Sequence, residues 1–444
     1  MKLTGWGRYP AIDSQSVFPN QPGLVKSLIH REEHQTQIAR GLGRSYGDSS
    51  LAEHSLNLSK LDNFINFDES TGELTCSSGL SFTEILRLFV PKGWFLPVTP
   101  GTQFITVGGA IASDVHGKNH HNDGTFCEHV SSLNLCLASG EVIECSKIHH
   151  PHLFRATCGG MGLTGIILQA TFKLKPIETG FIKEVTYKTA NLEETLTLFE
   201  EHDSVSYSVA WIDCLATGKT LGRSLLMLGE HALTTELGEG IPTDDKLKIA
   251  LTNKLNMPLD LPAFTLNSWS VKAFNALYYG KVRQQQSQRF VHFTPFFYPL
   301  DSIQNWNRMY GKSGFVQYQF VIPKSAGLIG LTEILTEIAK SKRGSFLAVL
   351  KVFGKGNDNY LSFPEEGYTL ALDFKMDSTL FAFLDRLDDI VLNYGGKLYL
   401  TKDARMSEQM FKQSYPQWQE FQKIRYQYDA HKAFNSLQSI RLGL

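Results

Sequence analysis

Two glycine-rich segments constrain this chain more than any other feature: ARGLGRSYGDSSL from Ala39 to Leu51 and PGTQFITVGGAIASDVHGKNHH from Pro100 to His121. The first offers backbone N–H groups at Gly41, Gly43, Arg44, Ser45 and Gly47, and its glycines supply the positive-φ positions that let successive amides converge on an anion. Arg44 adds a fixed positive charge. Gly41, Gly43 and Gly47 are spaced G-x-G-x-x-x-G, not the G-x-G-x-x-G of a dinucleotide-binding turn. Such a turn must also open an amphipathic helix whose N-terminus holds the pyrophosphate, yet Asp48 to Lys60 carries no sustained 3.6-residue apolar stripe. The pattern predicts a loop that clamps a pyrophosphate without a helix. Either segment alone reads equally as ordinary turn glycines; the pair, with HGKNHH attached, points to a ligand.

A chain of 444 residues exceeds the usual limit of a single core, so two domains are expected. Lys plus Arg (43) nearly cancels Asp plus Glu (44), which argues against a nucleic-acid surface. The six cysteines are scattered, with no C-x-x-C pair and no His spacing suited to zinc, so neither a disulfide framework nor a structural metal is expected. The three histidines of HGKNHH would by themselves suggest a metal, but no carboxylate or Cys ligand recurs beside them at helical spacing. The N-terminus MKLTGWGRYP lacks an apolar signal core, and no run of eighteen apolar residues occurs. The expectation is a cytoplasmic protein, with peripheral membrane contact left open.

The N-terminal part reads as short strands with few helices. Glu73 to Ser78 is a strand; Ser81 to Glu84 is a capping box opening a helix with Phe82, Ile85, Leu86 and Phe89 on one face. Val130–Cys136 and Glu141–Cys145 flank an Ala-Ser-Gly turn, a hairpin signal. A strand Ile166 to Leu174 follows Gly159–Gly165, and Lys175-Pro176 marks a domain edge. Beyond it Val205–Asp213 and Leu225–Gly229 read as strands, and Asn256 to Tyr298 as a long irregular aromatic stretch. Then comes strand 315–322, helix 328–340, strands 345–353 and 368–374, helix 378–394 and strand 397–401. This β-α-β-β-α-β order implies an antiparallel sheet backed by helices. Period-two alternation sets Gln317 and Gln319 opposite Tyr318, Phe320 and Ile322, and Lys351 with Val349 and Phe353. The polar face reads either as solvated or as lining a pocket, and a lysine there is paired, solvated at an edge or set at a ligand site.

These segments resemble the FAD-binding domain of the vanillyl-alcohol oxidase and p-cresol methylhydroxylase superfamily. RGLGRSYGD, PVTPGT, TVGGAIASDVHGKNHH, GGMGLTGI, FFYPLD with NWNRMYG, YQFVIP, and GGKLYLTKDAR with its distant KAFNS partner occur in the order of the decaprenylphosphoryl-β-D-ribose 2′-oxidase family within it. The resemblance runs from about Arg40 to the C-terminus, and HGKNHH with TKDAR is its specific part. It implies an α+β, two-domain flavoprotein: an FAD-binding domain over 1–177, a substrate domain over 178–396 built on an antiparallel sheet with helices on one face, and a segment 397–444 returning to the first domain.

By the same resemblance, FAD is held by Arg40, Gly41, Gly43, Arg44, Ser45, Tyr46, Gly47, Pro100, Gly101, Thr102, Thr106, Val107, Gly108, Gly109, Ser113, His116, Gly117, Gly162, Gly165, Ile167 and Tyr399. Many superfamily members attach the flavin covalently through a histidine in the first glycine segment. Tyr46 stands there, so the FAD is expected to be non-covalent. Substrate contacts fall to Lys118, Trp211, Gln317, Gln319, Lys351, Thr369 and Ala371. Flavin N5 accepts hydride; Lys402 is expected to take the hydroxyl proton and His116 to orient it, provided burial or a nearby cation lowers the lysine pKa. Without the resemblance, Lys402 beside Asp403 and Arg405 would read as a solvated charge cluster.

The implied reaction is oxidation of a sugar secondary alcohol, the 2′-hydroxyl of a polyprenyl-phosphoryl-β-D-ribose, with a quinone-like acceptor and a separate NAD(P)H-dependent reductase completing epimerisation. Thr369, Ala371 and Tyr298 stand where mycobacterial members carry asparagine, cysteine and histidine, which leaves the sugar and lipid less secure than the redox chemistry. The alternative is a soluble aldonolactone or alditol oxidase using oxygen and free sugars; a non-catalytic flavin- or glycan-binding protein is the remaining class. The aromatic segment Met257 to Gly280 and the basic residues Lys281, Arg283 and Arg289 read either as a core-covering loop or as a lid resting at headgroup level, with Trp269 and Phe274 as contacts.

Overall fold

The computed structural model describes residues 1–29, 36–238, 245–249, 255–262 and 265–444. Two antiparallel sheets organise it. The first has five strands in the order Val142–Ser146, Val130–Cys136, Ile166–Lys173, Glu73–Ser77, Phe64–Asp68. The expected hairpin is present, with Cys136 opposite Val142 and Gly140 taking the positive φ (76°) that its turn requires. Ser81 accepts the Glu84 amide and opens helix Phe82–Phe89, whose Phe82, Ile85, Leu86 and Phe89 are buried against this sheet's core. A smaller parallel sheet, in the order Gln15–Val17, His54–Asn57, Gln37–Arg40, delivers the chain into the first glycine segment.

The second sheet has eight strands: Gln286–His292, Phe181–Thr189, Ser224–His231, Tyr207–Ile212, Ala348–Phe353, Gly367–Lys375, Phe315–Pro323 and Lys397–Leu398. The fold is α+β. The register explains the odd polar residues. Gln319 lies opposite Ala371, Ala371 opposite Val349 and Val349 opposite Trp211, so these share one face. Gln317 pairs with Asp373, and Thr369 with Lys351, on that same face. The other face carries Tyr318, Phe320 and Ile322, packed against helices Gly327–Ser341 and Leu380–Asn393. Tyr318 donates its hydroxyl to Asp388 on the second helix at 3.0 Å.

The sequence reading differs from the structure most in one region. The stretch expected to be irregular from Asn256 to Tyr298 holds helix Ser268–Gly280, the edge strand Gln286–His292 and the short helix Phe293–Phe297. Residues 263 and 264 of that stretch lie outside the described residues. The expected strands at 345–353 and 397–401 are shorter, Ala348–Phe353 and Lys397–Leu398.

From Lys397 the chain leaves the second sheet and returns to the first glycine segment. Helices Glu408–Ser414, Trp418–Gln427, Ala430–Ala433 and Leu437–Leu442 follow one another. Phe434 bridges to Gln37, and the Leu437 amide donates to Leu51 O at 2.8 Å. Arg425 is fully buried and donates to the carbonyls of Leu163 (3.2 Å) and Phe434 (2.7 Å), tying this return to the first sheet's loops.

Candidate active site

A cavity of about 560 Å³ lies between the glycine segments and the polar face of the eight-stranded sheet, within the range of small-molecule sites. Its floor is the first glycine segment, Pro100–Thr102, the stretch from Thr106 to Lys118 and the turn holding Gly162 and Gly165; its roof is Trp211, Gln317, Gln319, Val349, Lys351 and Ala371. Ile167, Tyr399 and Lys402 complete it. Of the residues expected here, three do not line the cavity. A Cβ on Gly47 would come within 1.7 Å of Asp403 O, so this glycine serves a close backbone approach to the C-terminal loop and not the cradle. Val107 is wholly buried in the core at the start of helix Val107–Ala112. Thr369 sits behind Gln319, accepting its amide at 3.2 Å.

The floor fits the phosphates and ring of FAD on its own geometry. The amides of Leu42, Gly43, Arg44 and Ser45 donate to no acceptor among the described residues, an arrangement that backbone N–H groups seldom leave unfilled. Gly43 takes φ 65°, and a side chain there would strike the Arg40 guanidinium. Gly41 is held against Thr106, where a Cβ would lie 2.4 Å from Oγ1. Arg40 is itself pinned to Thr4 O at 2.7 Å. The Arg44 guanidinium lies 3.9 Å over the Trp6 ring, a stacking that orients its positive charge.

Beneath the roof, buried charges converge. The Lys402 ammonium sits 4.0 Å over the Tyr46 ring. Its backbone is fixed by donation of its amide to Tyr399 O (2.9 Å) and of the Tyr46 amide to Thr401 O (3.0 Å). Next along the chain, Asp403 accepts the amides of Arg405 and Met406 and pairs with Arg441 at 2.8 Å, which also holds Asp48 at 2.8 Å. Arg405 in turn pairs with Asp388. Lys402 therefore projects from a loop clamped by the first glycine segment, helix Leu437–Leu442 and helix Leu380–Asn393.

Burial pushes Lys402 down to about 8, with Asp373 opposing the shift. Burial, then the charges of Lys118 and Lys402, bring Lys351 to about 7. Lys118 falls to about 8 by burial, opposed by Glu184. The Asp373 carboxyl is raised to about 7 by burial, against hydrogen bonds from Gln317 (2.7 Å) and Tyr310 (3.3 Å) and the charge of Lys402. His116 is held well below its ordinary value by burial and the neighbouring lysines, so it is neutral. Gln319 meets its Nε2 at 3.1 Å, and its ring packs among Phe353, Phe363 and Tyr399. The other two histidines of HGKNHH turn elsewhere: His120 packs on Phe353 and His121 bonds Val205 O at 2.8 Å.

Sequence reasoning missed Asp373, Tyr310 and Trp6. Asp373 carried a signal, as an acid at an alternating position of an apolar strand. Its partners lie 56 and 63 residues away in the chain and could not be read from it. Trp6 is separated from Arg44 in the chain, and nothing local announces their stacking.

An amide cradle in a cavity that also holds the buried Lys118, Lys351 and Lys402 fits a flavin-dependent oxidoreductase. The family described as "FAD binding domain" matches residues 17–146, and the one described as "D-arabinono-1,4-lactone oxidase" matches residues 316–441. The decaprenylphosphoryl-beta-D-ribose oxidase of Mycolicibacterium smegmatis is 36% identical over 100% of this chain and 97% of its own. The D-arabinono-1,4-lactone oxidase of Yarrowia lipolytica is 27% identical over 43% of this chain and 38% of its own, and the L-gulonolactone oxidase of Mus musculus 24% over 40% and 42%. The chain belongs to the decaprenylphosphoryl-β-D-ribose oxidase family of flavoproteins, and its cofactor is FAD.

Proposed function

We propose that the chain oxidises the 2′-hydroxyl of a polyprenyl-phosphoryl-β-D-ribose to the ketone, as the first half of an epimerisation that a separate NAD(P)H-dependent reductase completes. The observation that carries this reading is Lys402, a buried lysine with a pKa near 8 at the wall of a cavity floored by a flavin cradle. Bound FAD supplies the two-electron acceptor, to be reoxidised by a quinone-like molecule. The substrate carbon gives up its hydrogen with the electron pair, and the hydroxyl proton passes to the neutral amine of Lys402. His116, neutral and held by Gln319, orients the hydroxyl. Gln317 and Lys351 hold the remaining sugar oxygens. Lys118, with Arg289 farther along the same wall and paired to Glu184, supplies the positive charge that a phosphodiester needs. We place the FAD-binding unit at 1–177, the substrate unit at 178–396 and the returning segment at 397–444, with the flavin held non-covalently.

The match of residues 316–441 to lactone oxidases favours one second reading, a free-sugar oxidase using oxygen. Product analysis separates the two. Incubation with polyprenyl-phosphoryl pentoses and a quinone should yield the 2′-ketone, and free aldonolactones should leave the flavin oxidised. Rapid oxygen-dependent turnover of aldonolactones, with no reaction of the lipid-linked pentoses, would overturn the proposal.

A further inference from the structure

Helix Ser268–Gly280 turns an apolar strip to solvent. Its inner side carries Val271, Asn275 and Tyr278. Asn275 is fully buried and donates to Asp213 at 2.7 Å, while the Tyr278 ring packs on Trp211 at 4.7 Å. At 100° per residue, Trp269, Ala273, Ala276, Leu277 and Gly280 fall together on the opposite side. All are exposed, Trp269 by 82% and Leu277 by 77%, and the Trp269 indole N–H is the one polar side-chain group among them. A water-facing helix surface made of tryptophan, leucine, alanine and glycine is the reverse of what burial alone produces, and it marks a contact site.

Two further observations identify the occupant. From Thr265 to Leu300 the chain contains Lys272, Lys281, Arg283 and Arg289 and no acidic residue. Lys272 borders the apolar strip, and Lys281 and Arg283 follow directly on the helix; all three are exposed. The inner side of the same helix meets the cavity, because Tyr278, Lys281 and Trp211 line it. Apolar residues flanked by cations suit the acyl–headgroup boundary of an anionic bilayer.

We propose that the outer face of helix Ser268–Gly280 docks on an anionic membrane surface, with Trp269 and Leu277 inserted at the headgroup boundary and Lys272, Lys281 and Arg283 on the lipid phosphates. The helix then stands between the bilayer and the cavity. Phe274 belongs to the side of the helix, stacked on Tyr278 and against Phe346, and is not part of this contact.

The test uses the flavin-loaded full chain and vesicles of phosphatidylglycerol with phosphatidylcholine, beside vesicles of phosphatidylcholine alone. The protein should co-sediment with the anionic vesicles at low salt, release as salt rises, and show a blue shift of tryptophan emission. Trp269→Ser with Leu277→Ser should weaken vesicle binding at least about tenfold with bound-flavin absorbance and far-ultraviolet circular dichroism unchanged. Absence of binding at low salt, or binding that the double variant retains, overturns the proposal. So does a dimer that the double variant dissolves while vesicles are ignored, since the face would then be a protein interface. No sugar enters the assay, so its outcome is separable from that of the substrate reading.

Discussion

Replacement of Lys402 by Met tests the proton step most directly. With a pKa of about 8, the amine is neutral in about a tenth of molecules at pH 7 and about nine tenths at pH 9. Anaerobic stopped-flow reduction of the flavin should therefore speed up about tenfold across that interval in the native enzyme and level off above it. Lys402→Met keeps the stem over Tyr46 but removes the base; reduction should fall at least about a hundredfold and lose its pH slope. Asp373 raises the Lys402 pKa, so Asp373→Asn should move the rising limb to lower pH. Lys351→Met should lower affinity and leave the midpoint of the limb in place. A Lys402→Met enzyme that bleaches near the native rate, or a slope that vanishes in Lys351→Met instead, would refute the assignment.

The first glycine segment carries no histidine or cysteine between Gly41 and Gly47, so acid precipitation should release all the flavin as intact FAD; yellow protein in the pellet would contradict it. Arg441→Met leaves Asp48 and Asp403 buried without their shared cation. It should cost about 3–5 kcal/mol of stability by chemical denaturation, with loss of under about 1 kcal/mol showing that the ion triad does not hold the Lys402 loop.

Much of the roof was legible because period-two alternation survives wherever one sheet face is apolar. Gln317, Gln319 and Lys351 stood out against Tyr318, Phe320 and Ile322 for that reason. The floor was legible through its glycines, although Gly47 looked like part of the cradle and in fact accommodates the carbonyl of Asp403. Helix Ser268–Gly280 was not legible. Asn267 caps it through the amides of Trp269 and Ser270, but an apolar outer face and a buried Asn275 erase the amphipathic period that announces a helix. Asp373 stayed hidden because its surroundings come from Gln317 and Tyr310, which only the folded sheet brings to it.

The return of the C-terminal segment sets an order of events during synthesis. Residues 40–46 line the cavity floor, yet the segment around them depends on late residues: Leu51 accepts from Leu437, Gln37 is bridged by Phe434, and Asp48 is neutralised by Arg441. During synthesis the glycine segment is made long before residues 434–441, so these contacts form only once those residues are present. Tyr399 and Lys402 are likewise absent from the nascent first sheet. Cofactor capture is therefore expected to need these contacts, and removal of helix Leu437–Leu442 should yield a colourless protein despite an intact glycine cradle.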